Sequence, residues 1–336
     1  MIREAIGKLV EGANLTEPET LQVMEEIMTG QATPAQIGSF LTALRLKGET
    51  IDEITGCAQV MRQHATRIKT DAATVVDTCG TGGDRSHTFN ISTISAFVVC
   101  GVGLVVAKHG NVSVSSKCGS ADLLRALGVK IDLDPAKVEK CLSEIGIGFL
   151  FAPLLHGAMK YATPARKEIG IRTIFNILGP LTNPAGAGHQ LLGVYDQALT
   201  EPLARVLGNL GSRHSLVVHG MDGLDEVSTT AETQVSELLK GEVKTYSIRP
   251  EDLGISRTKM DDLKGGDAET NAKIAMGILN GRPGPQGDIV CLNAGCAIYA
   301  GDKAKDISEG IELARKSLDS GKALEKLELL KEYTNR

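Results

Sequence analysis

The chain has 336 residues, 42% of them hydrophobic and 23% charged, with a formal net charge of −5. That length buries a large core and divides naturally into two domains, and the balance is that of an ordinary globular protein. The negative charge argues against general nucleic-acid binding, and no apolar run approaches the ~18 residues of a membrane span.

The first residues, Met1-Ile2-Arg3-Glu4-Ala5-Ile6, read as an amphipathic helix with an early acid. No secretory leader is expected there, and a cytoplasmic protein is the simplest reading. The seven cysteines agree, being odd in number, irregularly spaced and without a Cys-x-x-Cys pair. Reduced thiols are expected. Residues 1–68 carry three helix-start signals: Thr16-Glu17-Pro18-Glu19, Thr33-Pro34-Ala35-Gln36 and Thr50-Ile51-Asp52-Glu53. Each is a capping box, two of them with proline in the first turn. Apolar residues between them recur at helical spacing, so four helices form a small all-α unit.

Near residue 68 the pattern changes to strand-like runs alternating with helices, the signature of an α/β domain. Strands are expected at 74–77, 104–107, 129–133, 148–151, 189–195 and 214–219, with a hairpin over 233–248. One helix is expected from Pro153 to Ile169, carrying His156, Arg166 and Lys167. Residues 172–184 read as an irregular buried crossover, because glycine and two prolines break the run. The tail from 267 onward reads as three or four helices.

Two glycine- and serine-rich loops each follow a strand and precede a helix. The first is Asp77-Thr78-Cys79-Gly80-Thr81-Gly82-Gly83-Asp84, with three glycines in four positions. Such a loop turns tightly and brings bare N–H groups against an anion. The second runs from Lys108 to Ser120 and carries Ser113, Ser115, Ser116, Ser120, Lys108 and Lys117. In a doubly wound sheet both loops open on the same crevice. Asp225-Glu226 supplies two carboxylates suited to Mg2+, and Ser92 a hydroxyl. Solvated turns and helix caps are the plain alternatives for these acids and serines. There is no Gly-x-x-x-x-Gly-Lys-Ser/Thr and no Gly-x-Ser-x-Gly, so neither a nucleotide triphosphatase loop nor a serine elbow is indicated. Phosphate cradling, metal and a few cations suit a reaction whose leaving group is phosphate or pyrophosphate.

Gly80-Thr81-Gly82-Gly83-Asp84, Thr88-Phe89-Asn90-Ile91-Ser92-Thr93, Lys108-His109-Gly110-Asn111, Arg172-Thr173-Ile174-Phe175-Asn176-Ile177-Leu178-Gly179-Pro180-Leu181-Thr182-Asn183-Pro184 and Asp225-Glu226 occur in order along the chain. Together they resemble the anthranilate phosphoribosyltransferase family. The resemblance implies a small helical N-terminal domain (1–70, with a contribution from about 165–185). This is hinged to a larger α/β domain (71–336) with a mostly parallel sheet. It implies a homodimer that uses Mg2+ and moves the phosphoribosyl group of phosphoribosyl pyrophosphate to anthranilate in tryptophan biosynthesis.

By position, the resemblance puts Gly80, Gly83, Asp84, Thr88, Asn90, Ile91, Ser92 and Thr93 at phosphoribosyl pyrophosphate. Lys108, His109, Gly110, Asn111, Val112, Ser113, Val114, Ser115, Ser116 and Ser120 join them. It puts Gly80, Asn111 and Arg166 at anthranilate, and Ser92, Asp225 and Glu226 at Mg2+. An arginine fork matches a carboxylate. No general base is assigned. Arg85, Val112 and Cys118 depart from the family pattern of glycine, a basic residue and a small hydroxyl. Two other functions remain open on sequence: a pyrimidine-nucleoside phosphorylase, and a non-catalytic nucleic-acid-binding paralogue.

Overall fold

The computed structural model describes residues 1–84, 86–113 and 117–336. Helices α1 (Ile2–Val10), α2 (Glu17–Met28), α3 (Pro34–Lys47) and α4 (Ile51–His64) form the expected helical unit. All three capping boxes are made. The hydroxyls of Thr16, Thr33 and Thr50 accept from the amides of Glu19, Gln36 and Glu53, whose side chains reach back to the cap N–H groups. Each cap satisfies donors that a helix start leaves bare and contributes about 1 kcal/mol.

Next in order are β1 (Val75–Gly80), α5 (Ile91–Gly101), β2 (Val105–Gly110), α6 (Ser120–Ala126), α7 (Pro135–Lys140) and β3 (Ile147–Phe151). Then come α8 (Ala152–Leu155), α9 (Met159–Ile169), α10 (Phe175–Leu181), β4 (His189–Gly193), α11 (Thr200–Asn209) and β5 (His214–Gly220). The hairpin β6 (Thr233–Leu239) and β7 (Glu242–Ile248) precedes four closing helices. These are α12 (Ala268–Leu279), α13 (Pro285–Ala300), α14 (Ile307–Asp319) and α15 (Lys322–Asn335). The strands form one sheet in the order β3-β2-β1-β4-β5-β6-β7. Strands β1 to β5 pair in parallel, and β6 and β7 are antiparallel. The fold is the expected one, a helical N-terminal domain beside a larger α/β domain.

Alternation along the central strands gives the sheet two apolar faces. Leu191, Leu216, Val218 and Val235 join Phe97 of α5 and Ile298 of α13. Leu192, Val217 and Leu238 point the other way, to α11 and the N-terminal helices. Ala162, Ala165, Ile174, Phe175 and Leu178 lie in this second core, so α9 and α10 pack with helices far earlier in the chain.

Three local expectations need correcting. Residues 129–133 are not a strand: Val129, Ile131 and Leu133 are buried and alternate with exposed neighbours, but they join no ladder among the described residues. One-sided burial of an extended segment gives the same period-two pattern as a strand. The helix expected from Pro153 to Ile169 is two helices, because His156 leaves helical geometry at φ −114°, ψ 58°. The crossover at 172–184 contains α10, whose Gly179 and Pro180 fall at its end and stop it without preventing it.

Candidate active site

The first loop begins where β1 runs out. Gly82 and Gly83 take φ of 64° and 80°, the left-handed region that favours glycine. A Cβ on Gly80 would lie 2.5 Å from Asp225 Oδ2, and one on Gly193 would lie 1.6 Å from the Asp225 carbonyl oxygen. Bare backbone at the ends of β1 and β4 therefore admits the Asp225 turn. The Gly82 N–H donates to Asp225 Oδ2 at 2.7 Å. The Tyr195 N–H donates to Thr81 Oγ1 at 3.1 Å. Arg172 Nη2 donates to the Gly83 carbonyl, and its guanidinium lies 4.2 Å from the Tyr195 ring centroid. Asp84 accepts from the Ser86 hydroxyl, and Thr88 makes an isolated bridge to Lys264. Arg85 lies outside the described residues.

Helix α5 starts at Ile91. The Ser92 N–H donates to Glu226 Oε1 at 3.1 Å, and its carbonyl accepts from Thr78 Oγ1 at 2.9 Å. Thr93 is buried, and its hydroxyl has no partner among the described residues. Asn90 ties three segments together: Nδ2 donates to the Cys118 carbonyl and Oδ1 accepts from Asn271 Nδ2, both at 3.0 Å.

Asp225 and Glu226 sit on the turn after β5. Asp222 shapes that turn, accepting from the Leu224 N–H at 3.2 Å and from Ser228 Oγ at 2.6 Å. From beneath, the Asn293 amide of α13 accepts from the Val227 N–H and donates to the Val227 carbonyl, each at 2.8 Å. Burial, then repulsion from Asp84 and Glu226, holds Asp225 well above the usual carboxylate range. Burial also raises Glu226, against the pull of Lys108 and the Ser92 amide. Among the described residues no three His, Cys, Asp or Glu side chains form a closed metal cage. Mg2+ needs none, since it takes one or two carboxylates and completes its octahedron with water and substrate oxygens. Hard, crowded, protonation-prone oxygens fit such an ion.

The second loop is fastened to the first through buried polar groups. Lys108 is 4% exposed, and Nζ donates to the Thr78 carbonyl. Asp77 Oδ1 accepts from the His109 N–H at 3.1 Å, and Oδ2 accepts from Asn183 Nδ2 at 2.8 Å. His109 Nε2 lies 3.2 Å from His156 Nε2. Burial pushes His109 down to about 3, with His156 adding repulsion, and burial takes His156 to about 4. Both imidazoles are neutral at pH 7, so one can donate to the other.

A Cβ on Gly110 would lie 2.2 Å from Ser120 Oγ. The Asn111 N–H donates to Ser120 Oγ at 3.2 Å, and Asn111 Oδ1 accepts from the Val112 N–H at 2.8 Å. Asp122 Oδ2 accepts from the amides of Ser113 and Gly119 at 3.1 and 2.8 Å. The loop thus closes onto the start of α6. Val114, Ser115 and Ser116 lie outside the described residues.

Arg166 is in the last turn of α9. Its guanidinium lies 4.9 Å from the Phe175 ring centroid, and burial lowers its pKa. Hydrogen bonds thus join both loops and the Asp225-Glu226 turn, and Arg166 lies on α9, which packs against α2 and α3.

The family described as "Glycosyl transferase family, helical bundle domain" matches residues 3–65, and "Glycosyl transferase family, a/b domain" matches residues 72–324. The anthranilate phosphoribosyltransferase of Acetivibrio thermocellus is 57% identical over 335 residues, covering 100% of this chain and 97% of its own. The chain belongs to the anthranilate phosphoribosyltransferase family. The crystal structure of the anthranilate phosphoribosyltransferase from Thermus thermophilus superposes with a TM-score of 0.94 at 42% identity, over 99% of both chains. The Saccharomyces cerevisiae anthranilate phosphoribosyltransferase in complex with PRPP and Mg gives a TM-score of 0.90 at 29% identity, over 99% of this chain and 98% of that one.

Sequence reasoning named Asp77, Arg172 and Asn183 only as members of motifs and passed over Gly193, Tyr195 and Asn293, all of which hold the loops and the acidic turn in place. Asn293 had a signal, a lone amide inside the apolar run 289–298 of α13. A lone buried amide must find partners, and the turn it grips carries the two acids.

Proposed function

We propose that this enzyme transfers the 5-phosphoribosyl group of phosphoribosyl pyrophosphate to anthranilate and releases pyrophosphate, a step of tryptophan biosynthesis. One observation carries the reading: the Asp225-Glu226 turn is seated on Gly80 and Gly82, between two loops at the same sheet end. The first loop, the start of α5 and the second loop from Lys108 to Ser120 receive phosphoribosyl pyrophosphate. Asp225, Glu226 and Ser92 are the residues to hold Mg2+. When bound, that ion neutralises charge building on the departing pyrophosphate. Loop amides and the buried Lys108 add fixed positive potential at the leaving group, in place before the bond breaks.

Anthranilate enters from the other side. Arg166 takes its carboxylate, while Gly80 and Asn111 leave room for the amine to approach the sugar. Residues 1–70 and 165–185 act as the unit that carries Arg166 over the sheet. An aromatic amine attacks in its neutral form and loses its proton afterwards, so the reading needs no strong base. The working enzyme is taken to be a cytoplasmic homodimer. All seven thiols are buried and none is in a disulfide, as a reducing compartment favours.

The test is loss of anthranilate fluorescence, with each of phosphoribosyl pyrophosphate and Mg2+ omitted in turn. Turnover that needs all components supports the reading, and phosphate-dependent cleavage of thymidine or uridine overturns it. Sedimentation at micromolar concentration tests the dimer.

A further inference from the structure

Arg172 lies between α9 and α10, flanked by residues of the core that holds the helical domain, such as Ala165, Ile174 and Phe175. Yet its guanidinium reaches the glycine loop of the other domain, donating to the Gly83 carbonyl. The guanidinium carbon lies over the ring of Tyr195, whose own N–H donates to Thr81 Oγ1 of the same loop at 3.1 Å. A Cβ on Gly83 would come within 3.0 Å of Arg172 Nη2, so the loop and the arginine are already in contact. Among the described residues, four hydrogen bonds from distant segments fix this loop: the Gly193 carbonyl at the Thr81 N–H, the Tyr195 N–H at the Thr81 hydroxyl, Asp225 at the Gly82 N–H, and Arg172 at the Gly83 carbonyl. Of these, the Arg172 bond is the one that comes from the stretch between α9 and α10, and Tyr195 packs against the same core.

We propose that Arg172 is a positioning residue that sets the anion-binding face of the glycine loop from the helical side of the molecule. The physical link is the planar trans peptide. Its C=O and the following N–H point in opposite directions. Holding the Gly83 carbonyl toward Arg172 therefore turns the Asp84 N–H away from it. Gly83 sits at φ 80° and has no Cβ to restrict the flip, so the peptide has little preference of its own. Arg172 supplies that preference through a charge-assisted bond, and the Tyr195 ring beneath the guanidinium adds a cation–π attraction that holds it there. Because Arg172 and Arg166 border the same short segment, docking of that segment orients the phosphate-binding loop as it brings the amine-side arginine into place. A lysine could donate to the carbonyl but could not lie flat on the ring.

This inference rests on the proposed function for its ligand, so its primary readout is calorimetric binding of phosphoribosyl pyrophosphate with Mg2+, which needs no turnover. Arg172→Ala is expected to weaken that binding about tenfold to a hundredfold. In turnover its KM for phosphoribosyl pyrophosphate should rise alike, with the KM for anthranilate within about twofold of wild type. Tyr195→Phe keeps the ring and should match wild type, while Tyr195→Leu and Arg172→Lys should weaken binding in the direction of Arg172→Ala. Unchanged binding in Arg172→Ala would overturn the proposal. So would an equal rise in both KM values, or a Tyr195→Phe variant as poor as Tyr195→Leu. Wild-type protein that binds phosphoribosyl pyrophosphate but does not consume anthranilate would count against the proposed function and leave the Arg172 comparison readable.

Discussion

Strand β5 runs between two polar clusters of opposite character. At its first residue, His214 sets Nδ1 2.8 Å from Asp302 Oδ1 and Nε2 3.1 Å from Glu237 Oε1. The hydroxyls of Tyr246 and Tyr299 donate to the same glutamate at 3.0 and 2.7 Å. Burial disfavours the imidazolium, but hydrogen bonds to Glu237 and Asp302 outweigh it and raise the His214 pKa. The same bond to His214 lowers Glu237. Past the strand's last residue, Asp225 and Glu226 repel each other and Asp84, and the buried Thr93 hydroxyl has no partner among the described residues. One end is a closed account of donors and acceptors, and the other is left open. Protein groups alone satisfy a cluster that only has to hold the fold, whereas groups awaiting a ligand stay in tension until it arrives.

The largest test of that contrast removes the open end's charge. Asp225→Ala with Glu226→Ala should lower kcat about a thousandfold or more, since a leaving-group ion contributes several kcal/mol. Steady-state rates at saturating anthranilate check it, and near-normal turnover would erase the contrast. Arg166→Ala should raise the anthranilate KM about tenfold to a hundredfold with little change in kcat, the pattern of lost ground-state binding. A defect confined to phosphoribosyl pyrophosphate would move Arg166 to the other substrate.

At the closed end the effects turn from rate to stability. A raised folded pKa means that the stability His214 contributes is complete below its unfolded value near 6.5 and fades as pH climbs through the folded value. His214→Gln should therefore cost about 1–2 kcal/mol at pH 6 and less at pH 9 in urea melts, with kcat unaltered. A cost that grows with pH would reverse the assignment. The smallest effect belongs to Thr93→Val. Losing an unpaired buried hydroxyl should leave the unliganded melting temperature equal or higher, while phosphoribosyl pyrophosphate affinity falls about threefold to tenfold. A drop in both would place a hidden partner on that hydroxyl.

What the sequence revealed and what it hid divide along range of interaction. Thr16, Thr33 and Thr50 announced their helices because a cap and its partner lie three residues apart. The glycine loop and Asp225-Glu226 were legible because their chemistry is packed into consecutive residues. The bond from Arg172 to Gly83 and the link from Asn183 to Asp77 were not, since each joins single polar residues from distant segments. Nothing local distinguishes such an arginine from a solvated one. Residues 129–133 failed for a related reason. Alternation records which side is buried, but only a neighbouring strand makes a ladder, and that neighbour is a property of the whole fold.

Asn293 grips both the N–H and the C=O of Val227, two residues beyond Asp225. A helix that holds a turn in this way behaves as a ruler with a single mark. Deleting one residue of α13 ahead of Asn293 would swing the amide by about 100° and withdraw it by about 1.5 Å. Loops elsewhere in the chain can absorb such a change, but here the length of one helix and the seating of the two acids are the same quantity.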